Sequence, residues 1–114
     1  MSLNATIPTL AGDATFGAYV AQPSGTPRGA IIVIQEIFGV NRHMRGVADG
    51  FARDGYVAIV PSLFDRIRPG IQLGYADADI QRGIGLKQAS PTEAALLEVG
   101  VPQTRIRTER FTTT

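Results

Sequence analysis

Glu36 is the residue whose position in the sequence most strongly indicates chemistry. It closes the stretch AIIVIQE, residues 30–36, where a carboxylate follows an apolar run that predicts a buried strand. In open α/β sheets, ligands bind beyond the carboxyl ends of the strands, and Glu36 leaves its strand at such an end. An apolar environment would desolvate this carboxylate, raise its pKa and suit it to exchange a proton with a neighbouring thiol. The structural alternative is a carboxylate near the start of the next helix, stabilised by the helix dipole.

Residues that commonly supply a nucleophile or a metal site are sparse. The chain has no cysteine. No serine lies in a G-x-S-x-G elbow, the candidates being Ser2, Ser24, Ser62 and Ser90. The single histidine, His43, falls on the first predicted helix and is interpreted as a surface residue. Asp77 and Asp79 lack the glycine and distal glutamate of a calcium loop, so a solvated helix start is favoured and neither metal nor cofactor is expected.

Length, charge and hydropathy limit the classes of function. With 114 residues, the chain is long enough for one small domain. A net charge of +1 provides no strong field to recruit nucleic acid or an anionic membrane. No apolar run approaches the roughly 18 residues that span a bilayer. Because the first residues also lack the basic and apolar parts of a signal peptide, a cytoplasmic location is expected.

The first third of the chain predicts three strands. Two short strands flank a turn at Gly12-Asp13 and should form an antiparallel hairpin. Residues 30–35, AIIVIQ, are continuous and β-branched, which is typical of a strand covered on both faces.

A βαβ unit follows. Asn41 is expected to cap a helix over residues 42–54, and Gly55 to end it. A second continuous apolar strand then covers residues 56–60. Strand, helix and strand within about 30 residues should place the two strands parallel to each other.

The remainder predicts two further helices and a tail. One helix covers residues 76–87, and another covers 93–99 with Ser90 or Thr92 as its cap. The tail has little apolar surface to bury, so residues 98–114 are expected to be poorly ordered.

Several of these elements together resemble the N-terminal half of the dienelactone hydrolase family, in the α/β-hydrolase fold. The resemblance is carried by QEIFGVN at residues 35–41, the pair Gly55-Tyr56, PSLFDR at 61–66 and RPGIQLGY at 68–75. Unusual elements in the same order along the chain make it far more specific than a lone glycine motif. The family hydrolyses esters or enol-lactones with a nucleophile, usually cysteine, on a G-x-C-x-G elbow, assisted by an aspartate and a histidine later in the chain.

The resemblance implies roles for three residues. Glu36 matches the glutamate that contacts the nucleophile and controls its ionisation. The backbone N–H of Ile37 is similar to one of two oxyanion-hole donors, which would need no reorganisation as negative charge develops. Arg82, in DADIQRG, matches an arginine that binds a substrate carboxylate, although an exposed Arg82 paired with Asp77 or Asp79 is an equal alternative.

The sequence also departs from the family pattern. Leu86 stands where dienelactone hydrolase itself has a tyrosine, and the triad residues would all follow Leu97, where the resemblance ends. We therefore predict a partial dienelactone-hydrolase-like α/β domain over residues 1–97, with an antiparallel hairpin and a parallel βαβ unit, and a divergent tail over 98–114. The expected substrate is a small ester or lactone, and the chain should be inactive alone.

Two other interpretations remain open. In the first, the chain is a non-enzymatic half-domain that pairs through open sheet edges with another copy or with a C-terminal partner. In the second, LLEVGVPQTRIRTERF at residues 96–111 resembles the C-terminus of ferredoxin-reductase-type flavoproteins and marks a fusion.

Overall fold

A four-stranded mixed sheet organises the protein, and the computed structural model describes residues 3–100. The strands are β1 Ala5–Pro8, β2 Thr15–Ala21, β3 Ala30–Ile32 and β4 Val57–Pro61. The helices are α1 Arg42–Arg53, α2 Asp77–Ala89 and α3 Thr92–Glu98. The spatial order is β1-β2-β4-β3, in which β1–β2 and β2–β4 are antiparallel and β3–β4 is parallel. The predicted hairpin and the parallel βαβ unit are thus confirmed.

Helix α1 forms where its sequence places a cap and a stop. The Asn41 side chain accepts a hydrogen bond from the Met44 N–H at 3.1 Å, which satisfies one of the free donors of the first turn. At the other end Gly55 adopts a φ of +98°, a conformation that glycine reaches without a steric penalty. Met44 and Ala48 are buried against Ala58 and Val60 of β4, so α1 covers one face of the sheet.

The strand predicted over residues 30–35 is shorter and more exposed than expected. Ile31 and Val33 pack towards the α1 side, and the Val33 N–H adds one more bond to β4, to the Ile59 carbonyl at 2.8 Å. Ile32 and Ile34 alternate to the opposite face, where 48% and 38% of their surface is exposed. The expectation of burial on both faces is therefore wrong, because α1 covers one face of β3 and no described segment covers the other.

A second apolar cluster lies on the other face of the sheet, at the end occupied by α3. Phe16 and Leu63 are buried there with Ala95 and Leu96. Neither predicted cap of α3 forms: the N-cap residue is Pro91, without a side-chain bond. Ser90 instead donates its hydroxyl to the Leu63 carbonyl at 3.3 Å, because burial beside that strand end offers it a tertiary partner.

Asp65 fixes the segment after β4. Its carboxylate accepts hydrogen bonds from the Gly17 N–H at 2.7 Å, the Ser62 hydroxyl at 2.6 Å and the Gly70 N–H at 2.9 Å. Three bonds to one carboxylate join β2, the end of β4 and the following turn. The segment leading to α2 therefore has a defined path.

Arg66 ties the β1–β2 turn to the end of α3. Its guanidinium contacts the Asp13 carboxylate at 3.1 Å and donates from Nε to Glu98 at 2.9 Å. The hydrogen bond from Arg66, together with one from Thr9, lowers the pKa of Asp13 below its usual range. Glu98 also accepts a hydrogen bond from the Leu10 N–H through its backbone carbonyl at 2.8 Å, so α3 is anchored at its last residue.

The predicted division at residue 97 remains a prediction, and the tail at residues 101–114 lies outside the described residues.

The Tyr19–Asp49 contact gives a pH-dependent prediction. The Tyr19 hydroxyl donates to Asp49 Oδ1 at 2.6 Å, and this bond, followed by burial, raises the pKa of Tyr19. A folded-state pKa raised above the unfolded value of about 10 stabilises the fold fully below pH 10, and this stabilisation is lost as the pH rises through the folded pKa. Spectrophotometric titration in a Tyr56→Phe, Tyr75→Phe background should show a raised Tyr19 pKa that Asp49→Asn lowers. Asp77→Asn is the control, and an unchanged Tyr19 titration in Asp49→Asn would contradict the prediction.

Candidate active site

The segment that follows β3 is a tight turn, which leads directly into α1. The Gly39 N–H donates to the Glu36 carbonyl at 3.2 Å, and the Asn41 N–H donates to the Gly39 carbonyl at 3.0 Å. Because β3 and β4 are parallel, this turn and the residues after β4 emerge at the same edge of the sheet. Glu36 and Ile37 therefore lie at the carboxyl edge of the sheet, and their roles in a site remain predictions.

Gln35 joins the two strand ends beneath this turn. Its side chain is 8% exposed, and its Oε1 accepts the Leu63 N–H at 2.9 Å while its Nε2 donates to the Glu36 carbonyl at 3.3 Å. One buried amide thus satisfies a donor after β4 and an acceptor in the turn. Sequence reasoning assigned Gln35 no role, although a polar residue between an apolar strand and a turn was a usable indication of such a clamp.

Gly39 lets a second segment approach the turn. Its φ is +80°, and a Cβ built on it would lie 2.0 Å from the Ile71 carbonyl oxygen. The Leu73 N–H donates to the Phe38 carbonyl at 2.9 Å, which joins the turn to residues 71–73. Any larger residue at this position would have to displace backbone.

Helix α2 closes the third side through Gly83. A Cβ at Gly83 would lie 2.4 Å from the Ile37 carbonyl oxygen, so the helix backbone rests directly on the turn. Glycine inside a helix costs roughly 1 kcal/mol relative to alanine, and α2 contains two such residues, Gly83 and Gly85. The structure gives Gly83 a positive role, because close approach of α2 to Ile37 requires its missing side chain.

Glu36, Ile37 and Lys87 share a cavity of about 370 Å³. Its walls include Phe38 and Phe64, and the full lining is Gln35, Glu36, Ile37, Phe38, Phe64, Lys87 and Thr92. Glu36 is exposed, so its expected desolvation is not found; no described segment covers the carboxylate. Ile37 is half-buried, and within residues 3–100 its N–H makes no hydrogen bond.

Arg82 does not join this group. It is exposed on α2 and is not among the residues that line the cavity of Glu36. The alternative pairing also fails, because no ion pair between Arg82 and Asp77 or Asp79 forms within the described part of the chain.

His43 lies apart from Glu36, exposed near the start of α1 as a surface residue was expected to be. It lines a separate cavity of about 570 Å³ together with Tyr75. The Tyr75 hydroxyl accepts a hydrogen bond from the Asn41 side chain at 3.0 Å, and its ring meets Phe38 edge to face at 4.6 Å between centroids. These contacts give Asn41 a structural role beyond its helix cap.

Residues 3–100 provide neither a cluster of metal ligands nor a membrane-spanning helix. They contain no group of three or more His, Cys, Asp or Glu side chains placed to hold a metal ion. No helix among them has the length and hydropathy needed to cross a bilayer.

The fold and this edge define a partial α/β-hydrolase-type domain. The family model described as "Dienelactone hydrolase family" matches residues 16–101. The chain belongs to the dienelactone hydrolase family.

Individual relatives agree with this assignment. The chain is 52% identical over 62 residues to a protein from Azospirillum brasilense named as a candidate carboxymethylenebutenolidase, and 43% identical over 63 residues to carboxymethylenebutenolidase from Pseudomonas putida. These matches cover 54% and 55% of this chain but only 27% of each relative. A crystal structure of a candidate dienelactone hydrolase from Klebsiella pneumoniae is 27% identical, with a TM-score of 0.56, over 83% of this chain and 40% of that one. The chain thus spans well under half the length of these relatives.

Gly39 is the position at which substitution should damage the turn most. Gly39→Ala forces an unfavourable positive φ and a clash with the Ile71 carbonyl, which should cost about 2–4 kcal/mol of unfolding free energy. Gly46→Ala is the matched control: it lies inside α1, and a Cβ there would meet nothing within 4 Å. It should stabilise the protein by up to about 1 kcal/mol through helix propensity. Urea denaturation of both variants provides the measurement, and equal midpoints would contradict the close approach at Gly39.

Proposed function

We propose that the turn from Glu36 to Gly39 forms the oxyanion-binding and nucleophile-orienting part of a hydrolase site for small carboxylic esters or lactones. The observation that carries this proposal is that the Ile37 N–H has no acceptor among the described residues, while Ile37 lines a cavity. A donor of this kind, already fixed in place, stabilises the negative oxygen that develops when a nucleophile attacks a carbonyl carbon. Gln35 bonds to the Glu36 carbonyl and Gly83 packs on the Ile37 carbonyl, so both peptide groups next to this donor are held in place.

Glu36 is the proposed partner of the nucleophile. Its carboxylate is exposed at the cavity and forms no ion pair within residues 3–100. It is therefore available to accept the proton of a thiol or hydroxyl brought to the cavity from elsewhere. The deprotonated nucleophile then forms a bond to the carbonyl carbon, and the carbonyl oxygen takes the negative charge. When the carbonyl re-forms, the bond to the leaving oxygen breaks and that oxygen takes the proton held by Glu36, and water then hydrolyses the acylated nucleophile.

The 114-residue chain should not turn over substrate alone. It has no cysteine, no serine elbow, and in His43 a single histidine that is exposed on α1. We propose that the nucleophile, the acid and the histidine of a triad come from a segment that this chain does not contain.

A cytoplasmic location is also a proposal, which fractionation of cells that produce the chain would test.

A chimera tests the role of Glu36. Residues 1–97 joined to the remaining C-terminal part of the Azospirillum brasilense relative should hydrolyse a chromogenic carboxylic ester, whereas the 114-residue chain should not. Glu36→Gln in the chimera should lower kcat/KM about 100-fold and alter its pH profile, because the nucleophile loses its proton acceptor.

Glu93→Gln provides the matched control for this variant. Glu93 is also an exposed carboxylate, in the first turn of α3 and outside the cavity of Glu36. Its substitution should leave both kinetic parameters unchanged. An active chimera insensitive to Glu36→Gln would contradict the role of Glu36, and turnover by the chain alone would contradict its inactivity.

The second candidate function is self-association through β3. Successive residues of a strand direct their backbone N–H and C=O groups to opposite sides. Because the Val33 N–H bonds to β4, the N–H and C=O of Ile32 point away from β4, towards the open edge of the sheet. Residues 30–35 contain no proline and no charge, the devices that usually protect an edge strand. Two copies related by a two-fold axis at Ile32 would pair antiparallel, with Ala30 opposite Ile34, and would bring their exposed isoleucines together.

Ile32→Lys tests this association. Burial of the two isoleucines of each copy is worth several kcal/mol, so a lysine at the centre should weaken dimerisation by about tenfold or more. Sedimentation equilibrium of the wild type and of Ile67→Lys provides the comparison, because Ile67 is similarly exposed, at 44%, in a turn remote from β3. A wild-type chain that stays monomeric at its highest soluble concentration would refute the proposal, as would equal weakening by both variants.

A further inference from the structure

Arg45 lies on α1 outside the Glu36 cavity, yet its side chain reaches the turn that borders this cavity. Its Nη1 donates to the Val40 carbonyl at 2.8 Å and to the Gln72 side-chain oxygen Oε1 at 2.8 Å. We propose that Arg45 is a positioning residue of the candidate site, because it holds in place the turn that contains the Ile37 N–H. This inference rests on the proposed function, since it assigns a support to the same oxyanion-binding donor.

The Val40 carbonyl needs a donor from a side chain. Val40 is 1% exposed and precedes Asn41, the N-cap residue of α1. The Asn41 carbonyl accepts the Arg45 N–H at 3.0 Å as the first bond of the helix, so the Val40 carbonyl lies outside the helical ladder. A buried carbonyl without a donor costs free energy comparable to a lost hydrogen bond. The Arg45 guanidinium supplies this donor, with the added strength of a charged group.

The turn is thereby held by a side chain at each end. Gln35 donates to the Glu36 carbonyl, at the first residue of the turn, at 3.3 Å. Arg45 donates to the Val40 carbonyl, directly after the last residue of the turn. Because Ile37 lies between these two carbonyls, loss of either bond should give the peptide group that carries the proposed donor more freedom to move.

The bond to Gln72 ties the neighbouring segment to the same guanidinium. Residues 71–73 lie along the turn, where they contact Gly39 and donate a hydrogen bond to the Phe38 carbonyl. Gln72 is the central residue of this segment. Each Nη group of arginine carries two hydrogens, so one Nη1 can donate to the turn and to Gln72 together. Arg45 therefore joins α1, the turn and residues 71–73 at a single group.

The environment of Asp49 explains why Arg45 bonds to the turn. Residues four apart are neighbours on a helix surface, so Asp49 would be the usual partner of Arg45. Asp49 accepts the Tyr19 hydroxyl at 2.6 Å, and no Arg45–Asp49 ion pair forms within residues 3–100. The sheet thus supplies a partner for Asp49, and the guanidinium of Arg45 bonds to the turn.

Hydrogen exchange of the 114-residue chain tests this role. In Arg45→Met, exchange of the Asn41 and Leu73 amides should accelerate about tenfold or more, because both N–H groups bond to carbonyls of the turn. Exchange of the Val33 and Val57 amides, whose bonds link β4 to the β3 segment, should change by less than about twofold.

Three further variants separate a local role from a general loss of stability. Val47→Ala removes packing of α1 on the core and should accelerate the turn and strand amides by similar factors. Arg42→Met removes an exposed arginine that is closer to the turn along the chain, and it should leave all four rates unchanged. Arg45→Lys keeps a cationic donor for the Val40 carbonyl and should restore most of the protection.

The neutral probe γ-butyrolactone connects this role to the site. In the ¹⁵N-labelled wild-type chain it should shift the Ile37 amide resonance, and Arg45→Met should weaken its binding about fivefold. Arg45→Lys should weaken this binding less than Arg45→Met does. A chain with Arg45→Met that binds the lactone as tightly as the wild type would overturn the role of Arg45 at the site.

The outcomes distinguish this inference from the function on which it rests. Unchanged exchange of the Asn41 and Leu73 amides in Arg45→Met, or equal acceleration of the turn and strand amides, would overturn the hold of Arg45 on the turn. If the lactone leaves Ile37 unshifted in the wild-type chain, the proposed ester or lactone site fails. The exchange rates need no ligand, so they still support or overturn the contact of Arg45 with the turn.

Discussion

The close approach of three backbone segments to one turn is the constraint on which the rest of the structure depends. Residues 36–39 must fit between the end of β4, residues 71–73 and α2, and at two of these contacts a single methyl group would collide with a carbonyl oxygen. Glycine at positions 39 and 83 and a buried amide at Gln35 meet this requirement. Since a Cβ at either glycine would collide with a carbonyl oxygen, these two contacts fix the path of the turn that contains Ile37.

The elements that the sequence predicted well are those determined by local chemistry. Asn41 caps α1 and Gly55 ends it because side-chain capping and positive φ act over a few residues. The parallel pairing of β3 and β4 follows from the length of their connection. The turn at Glu36 was located for the same reason, as the end of an apolar strand.

The elements that the sequence did not predict depend on contacts distant along the chain. Residues 30–35 read as buried on both faces, yet exposure of Ile32 and Ile34 depends on which segments cover the sheet. Ser90 was a candidate cap for α3, but its hydroxyl donates to the Leu63 carbonyl, which is distant along the chain. Arg82 was indicated by its place in the sequence, but the lining of the Glu36 cavity does not include it, because the rotation of α2 is set by the contacts of Gly83 and Leu86. The local sequence pattern indicates which residues are suited to a strand, a cap or a site. Contacts between distant segments determine which of these residues are buried, form the cap or line the cavity.

The open edge of β3 and the candidate site are adjacent, and this proximity connects the two proposed functions. Glu36 follows β3 by a few residues, so a strand added at that edge would end beside the cavity that Ile37 and Lys87 border. A segment that supplied a nucleophile there would cover Ile32 at the same time, whereas a second copy paired at β3 would occupy the edge and leave the cavity without a nucleophile. If both proposals hold, association and catalysis would therefore compete for one set of backbone hydrogen-bonding groups. Ile37, Gln35 and Gly83 do not contribute to the β3 edge. The position of the Ile37 N–H should therefore be the same whether a second copy or a nucleophile-bearing segment pairs with β3, and only the second arrangement should allow catalysis.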